Sequence, residues 1–524
     1  MKRFLIPSLL LVAAALFAQP VTPPRIGKIT IETVDVYSNA EAQHGFFYRT
    51  ADRLHIETRD SVVRKYLLFR EGDEYRPERL QETERNLRGQ PYLKSATVTA
   101  LPPHDGVVDI VVTTQDAWSI APETQAGNKG GATNYGASIS DTNLFGYGKE
   151  AEVSWSKDID RTRVGVNYID PMLFDGYWNA HVAYGRTSDG NDQRLAVRRP
   201  FYSFSTPWAT EFSFAGFRRD DKIYTDGVVA ERFSHQMRSA VASWGWALDP
   251  TDSVANRIVG GVRLSRDRFL TLLPQESFAL PSDREYRYLF ARLEHAENSF
   301  VKLNFVNKDV RYEDFNLGRQ YSIEGAVSPR IAGAPVNSAY GSIAISDGVA
   351  AGPTAFLLNS ASLQSRFDGG AQNAVASGML YVVKRSGEDH PSTFVGRIVL
   401  NNAWRQDPED QFFADGLNGL RGYRAHSFAG SRSLIINAEQ RFYLGRELLQ
   451  LYSPGLVGFV DAGNATDGSF GDLMRLKIDA GIGIRIGLPR TPKNLLRIDL
   501  AYAFSRDPLG RKGFLVSFSS GQAF

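Results

Sequence analysis

Cysteine is absent from all 524 residues. That excludes disulfides, thiolate metal sites, a cysteine nucleophile and a lipid-modified N-terminal cysteine. A charge excess of either sign is missing too: 60 Lys and Arg stand against 58 Asp and Glu, a net +2, so the chain presents no field for nucleic acid. Long apolar runs are lacking beyond residues 4–17, and that run of about 14 falls short of the roughly 20 a spanning helix needs. Any membrane association must therefore use strands. What is abundant is aromatic: 7 Trp, 22 Tyr and 32 Phe make 12% of the chain, beside 47 Gly, a combination that favours β-structure.

Lys2 and Arg3 precede the apolar run, and small residues end it at Ala18, the charge, hydrophobe and cleavage order of a secretory signal peptide over residues 1–18. Residues 25–117 read as a small mixed domain. Ile29 and Ile31 alternate in a half-buried strand, Asp60 or Ser61 caps a helix over Val62 to Phe69, and Pro77 to Gly89 has proline at its start and glycine at its end. Strands Ser95 to Leu101 and Val107 to Thr114 follow, split by Pro102, Pro103, Asp105 and Gly106. The order is β-α-α-β-β, with 35–58 as an insertion.

From about residue 125 to 524 the helical period vanishes. Leu476, Ile478, Ala480, Ile482, Ile484 and Ile486 alternate with Lys477, Asp479, Gly481, Gly483 and Arg485, and Leu496 to Phe504 repeats the pattern. One face is apolar with aromatics at its ends, as a lipid-facing band with interfacial girdles requires. The other carries charges at mid-strand, which a water-filled interior tolerates and a packed core does not. The expected fold is mostly β: a transmembrane antiparallel barrel preceded by one small α+β domain. Its length suits about 16 strands of roughly ten residues, with short turns on one side and long loops on the other. Five strands are legible at the C-terminal end: Ser433 to Leu444, Leu456 to Asn464, Leu476 to Leu488, Leu495 to Ser505 and Gly513 to Gln522.

Before those five lies Gly416-Leu417-Asn418-Gly419-Leu420-Arg421-Gly422-Tyr423-Arg424. An arginine turned into a barrel needs a carboxylate, and the lumen faces offer Asp461, beside Phe459 and Gly463, and Glu439, beside Arg441. Here the chain resembles the BamA and TamA superfamily of outer-membrane assembly and translocation proteins. Leu420-Arg421-Gly422-Tyr423 looks like that family's V-R-G-[FY] loop motif, and Phe459-Val460-Asp461-Ala462-Gly463 like its F-x-D-x-G strand motif. The resemblance covers essentially the whole mature chain and is firmest over 416–524. It implies a barrel whose long loop folds back inside with Arg421 reaching Asp461, and it makes residues 25–117 a single periplasmic POTRA domain.

The seam between first and last strands is expected between Thr133 to Ser140 and Phe514 to Gly521, with Phe514, Phe518 and the terminal Phe524 on the closing strand. Opposing an enzyme, the 8 His are scattered and no zinc-protease, nucleophile-elbow or P-loop motif occurs. Gly481 to Gly487 mimics a phosphate loop but sits in a strand of period two, and Asn464-Ala465-Thr466 reads as a turn. No cofactor or metal is implied. The expected partners are outer-membrane lipid, unfolded client polypeptides in the periplasm and accessory assembly proteins. The function expected is insertion of outer-membrane proteins or polypeptide translocation; a gated channel or secretion pore, or a surface adhesin, are the alternatives.

Overall fold

The computed structural model describes residues 23–36, 55–174, 176–272, 280–445, 447–449, 451–488, 490 and 495–524. The expected signal segment 1–18 and most of the expected insertion 35–58 lie outside them. The N-terminal unit is built from β1 (Arg25–Val34), α1 (Asp60–Lys65), α2 (Pro77–Arg88), β2 (Leu93–Ala100) and β3 (Val107–Asp116). β3 is central, parallel to β1 and antiparallel to β2, and Ile29, Val63, Tyr66, Leu80, Leu87, Tyr92 and Ile110 close the core. α1 ends earlier than the expected Phe69, because Tyr66, Leu67 and Phe69 turn into that core.

A closed antiparallel barrel follows, with β4 (Ile120–Lys129), β5 (Ala132–Asp141), β6 (Glu150–Lys157), β7 (Thr162–Leu173), β8 (Trp178–Thr187) and β9 (Gly190–Arg199). Three long strands come next: β10 (Trp208–Thr225), β11 (Val228–Leu248) and β12 (Val254–Thr271). After β13 (Arg284–Glu297) comes a short hairpin, β14 (Phe300–Leu303) and β15 (Glu313–Asn316), which among the described residues pairs only with itself. The wall resumes with β16 (Gln320–Ser328), β17 (Ser338–Ala350), β18 (Ala355–Phe367), β19 (Ala371–Ser386) and β20 (Ser392–Trp404). Within the next loop, β21 (Phe412–Phe413) pairs with β22 (Ala429–Gly430). Then come β23 (Arg432–Tyr443), β24 (Ser453–Thr466), a helical turn α3 (Phe470–Leu473), β25 (Lys477–Gly487), β26 (Leu495–Ala503) and β27 (Gly513–Ser520).

Among the described residues the barrel has 20 strands, not 16. Connections are shorter than expected in the N-terminal half of the wall. Gly130 and Gly131 join β4 to β5, and Asp226 and Gly227 join β10 to β11, both pairs at positive φ, as two-residue hairpin turns of the primed kind require. Consequently the wall begins at Ile120 rather than 125, and Thr133 to Ser140 belongs to the second strand. The seam joins β4 to β27. Asn464-Ala465-Thr466 is not a turn: β24 runs through it, and the chain turns beyond Thr466.

Leu289, Leu456, Ile482 and Val516 project outward, exposed. Trp178, Trp208 and Trp246 stand near one rim, while Phe367, Trp404, Phe504 and Phe514 stand near the other. These are the two aromatic girdles of a lipid-facing surface. The N-terminal unit sits on the Trp208 rim. Arg79 Nε donates to Asp252 (3.1 Å), Arg85 Nη2 to Asn298 (3.0 Å), Asn143 Nδ2 to Thr58 (2.9 Å) and Tyr177 OH to the Leu67 carbonyl (3.0 Å).

Candidate functional site

The segment between β20 and β23 starts at the opposite rim and folds into the lumen. It is tied to several walls. Arg366 clamps Asp407 through two hydrogen bonds of 2.9 Å, Arg284 pairs with Glu409, and Gln411 both donates to and accepts from the Tyr224 backbone at 2.8 Å. His426 stacks on Tyr224 with centroids 3.9 Å apart, and the Ala425 amide donates to Gly130 (2.8 Å) in the first hairpin of the wall.

At the inner end Arg421 is 3% exposed. Its Nε and Nη2 donate to the two oxygens of Asp461 at 2.8 and 2.9 Å, and Nη1 donates to Glu439 at 2.6 Å. Such a planar fork suits guanidinium and not ammonium. The plane lies over the Phe459 ring, 3.4 Å from its centroid. Phe459 can lie flat because Gly481 is opposite it in register; a Cβ there would sit 2.4 Å from the ring. Gly463 makes room for Leu420, whose Cδ2 would be 3.3 Å from an added Cβ. Gly422 passes so near β25 that a Cβ would meet that of Asp479 at 2.6 Å. Tyr423 OH donates to the Ile478 carbonyl at 3.1 Å. Thus Leu420, Arg421, Gly422, Tyr423, Phe459, Asp461 and Gly463 meet at one place, each with a steric or electrostatic reason.

Glu439 extends the cluster, accepting from Arg441 Nε (2.8 Å) and Arg485 Nη2 (3.3 Å), while Arg485 Nη1 donates to Asp499 (2.6 Å). Asn437 Nδ2 bridges Asp461 (2.8 Å) and the Gly419 carbonyl (2.7 Å). Arg485, Asp499, Asn437 and Gly481 were not singled out as site residues from sequence. Their signal was present in the charged or small lumen positions of the alternating strands. Burial without partners would cost several kcal/mol per charge, so interleaving guanidiniums and carboxylates is what lets this group sit inside.

The closing strand departs from expectation. Phe514 points outward at 73% exposure, and Phe518 forms the bridge to Asn128 of β4. The chain then leaves the sheet at Gly521, whose φ is +77°. Gln522 enters the lumen, accepting from Arg485 Nε and donating to Tyr443 OH, both at 3.0 Å. The Phe524 ring lies 5.1 Å from Arg397 and 5.8 Å from Arg421 and Arg441. The expectation that the closing strand runs through Gln522 and carries Phe524 is therefore corrected: β27 ends at Ser520, and guanidinium groups inside offer Gln522 and Phe524 partners that lipid cannot.

No curated protein matches the chain in sequence. Among solved structures it is similar to CdiB from Acinetobacter baumannii, at 13% identity and TM-score 0.48, over 95% of this chain and 74% of that one. It is also similar to BamA from Haemophilus ducreyi lacking POTRA domains 1-3 (13%, TM-score 0.37, 94% and 84%) and to CdiB from Escherichia coli (10%, 0.43, 94% and 76%). Residues 361–524 match the Omp85 superfamily domain. Through that segment, which holds the re-entrant loop and its charged seat, the chain is similar to the Omp85 superfamily and resembles the BamA and TamA superfamily.

Proposed function

We propose that this protein is an outer-membrane barrel that helps insert outer-membrane proteins or move polypeptides across the membrane, with residues 25–117 in the periplasm gathering unfolded clients. One observation carries the reading. β27 pairs with β26 along its length, from Leu496 and Ser520 to Ala503 and Gly513, yet meets β4 through a single bridge, Phe518 to Asn128, among the described residues. A wall so unevenly joined opens most cheaply at that seam, and an unpaired strand edge is a template for an incoming strand. The N-terminal sheet supplies a second edge in β2, where the Val98 amide now donates to Glu84 at 3.0 Å. No nucleotide or metal enters this scheme.

The test uses the cysteine-free background. Phe518→Cys with Asn128→Cys, crosslinked across the seam and reconstituted in liposomes, should lose insertion of an unfolded barrel client and regain it on reduction. Insertion at the wild-type rate with the seam locked would refute the reading. A dedicated secretion pore is the second reading, favoured by a lumen cavity of about 530 Å³ lined by Arg257, Glu294, Ser322, Ser346, Ser360 and Ser377. Depletion separates the two: falling levels of many barrels indicate assembly, and loss of one exported protein indicates secretion.

A further inference from the structure

The connection from β13 to β16 turns at the rim that carries the N-terminal unit, where a short turn would suffice. Instead residues 299–318 fold inward as the β14–β15 hairpin. Leu303, Val306 and Leu317 are buried against Phe356, Tyr381, Val383 and Val395, an apolar patch on the inner wall of β18, β19 and β20. The hairpin tip is fitted to its seat: Tyr381 OH donates to Asn307 (3.2 Å), Arg441 Nη1 donates to the Val306 carbonyl, and Phe305 packs on Tyr443 at 5.0 Å. Gly487 leaves space for Asp309, whose Oδ2 would be 2.2 Å from a Cβ at that position.

The outer side of the same hairpin is held by α2. Arg88 forks onto Asp314 (Nη2 to Oδ1 2.6 Å, Nε to Oδ2 3.1 Å), Lys302 Nζ reaches Glu84 at 3.0 Å, and the Arg85 guanidinium lies 4.2 Å above the Phe300 ring. An apolar patch inside a polar lumen is unfavourable when wet, so the hairpin stabilises it by covering it and occupies lumen space on that side. We propose that residues 299–318 are a plug that α2 holds in the lumen, and that displacement of the N-terminal unit from the rim releases it and opens the pore from that side. The claim concerns the pore alone and goes beyond the assembly reading: it can hold whether or not a client is inserted.

Conductance of the full-length protein in planar bilayers tests it. Arg88→Glu and Asp314→Arg should each raise open-state occupancy severalfold over wild type, and the double swap, which restores an ion pair of opposite polarity, should return it to the wild-type level. Lys302→Glu, on the second tie, should act in the same direction and serves if an Arg88 variant does not fold. Linking Asn307→Cys to Tyr381→Cys with a short thiol crosslinker should close the Arg88→Glu pore again. Unchanged conductance in folded single variants, or no recovery in the swap, would overturn the proposal. Insertion assays on the same variants report separately on the assembly reading.

Discussion

Arg421 stacks on Phe459, and Phe459 lies over Gly481 of the next strand, so one guanidinium, one ring and one bare backbone form a single column across the wall. The column binds a loop to two strands at once, which a lone ion pair would not do. Arg421→Ala leaves the Asp461 carboxylate buried without its guanidinium and takes one of three from Glu439, and should cost about 3–5 kcal/mol. Arg421→Lys should recover only part of this, because an ammonium cannot make the two-pronged contact. Unfolding midpoints in detergent and heat-dependent gel mobility measure both; a lysine variant as stable as wild type would show that charge alone suffices.

Gly481→Ala tests the column from beneath. The added methyl must displace Phe459 or the strand, with overpacking expected at about 1–3 kcal/mol. Gly422→Ala tests it from above, since its methyl would collide with Asp479. Both should raise cleavage of the 405–431 loop by protease added to the loop side while the barrel remains folded. Gly458→Ala, where nothing lies within 4 Å of the new methyl, is the control and should change neither.

The loop's seat was legible because its chemistry is local. Arg421, Phe459 and Asp461 stand in short motifs, and Glu439 and Arg441 fall on a face fixed by a period of two. The strand count is not legible from the same pattern, because chain length and a mean strand length do not fix how many residues the connections take. The hairpin dipeptides Gly130-Gly131 and Asp226-Gly227 were the sharper signal, and each marks a tight turn where the average allowed a loop. The fate of the C-terminus was hidden for another reason. Gln522 and Phe524 continue the alternation of β27 in sequence, but the positive φ of Gly521 breaks the strand and the partners that draw them inward, Arg485, Tyr443 and Arg397, come from distant strands. The inward hairpin 299–318 likewise depends on a wall patch assembled from three strands.

That placement separates two phenylalanines of the C-terminal segment. Phe514→Ala removes an outward ring in the lipid girdle, whereas deleting residues 522–524 strips Arg485 of an acceptor inside the barrel. The deletion should lower the unfolding free energy in detergent by an amount on the order of 1–3 kcal/mol, the cost of a buried group left unsatisfied, read as a lower unfolding midpoint. In detergent micelles Phe514→Ala should have the smaller effect, because its ring is solvated by alkyl chains in both states. A deletion mutant with wild-type stability would place the tail outside the lumen.

Docking of the N-terminal unit should depend on pH through Glu82. Its carboxyl is buried against the barrel turn, accepting from the Phe204 amide at 3.0 Å, with Arg85, Asp252 and Arg257 as the charged groups around it. Burial outweighs the hydrogen bond and the two arginines, and pushes the group from 4.5 up to about 7. A carboxyl whose value is raised on docking binds its proton more tightly there. Its contribution is therefore fully present below 4.5 and is lost as the pH rises to about 7. The loss is bounded by about 3 kcal/mol at 1.36 kcal/mol per unit. Amide exchange of residues 77–88 and 200–206, corrected for the intrinsic rate, should show stronger protection at pH 5 than at pH 8 in the wild-type protein. Glu82→Gln keeps the acceptor for Phe204 without a charge to desolvate, so its protection should be equal at both pH values. A pH difference that persists undiminished in the glutamine variant would assign the dependence to another group.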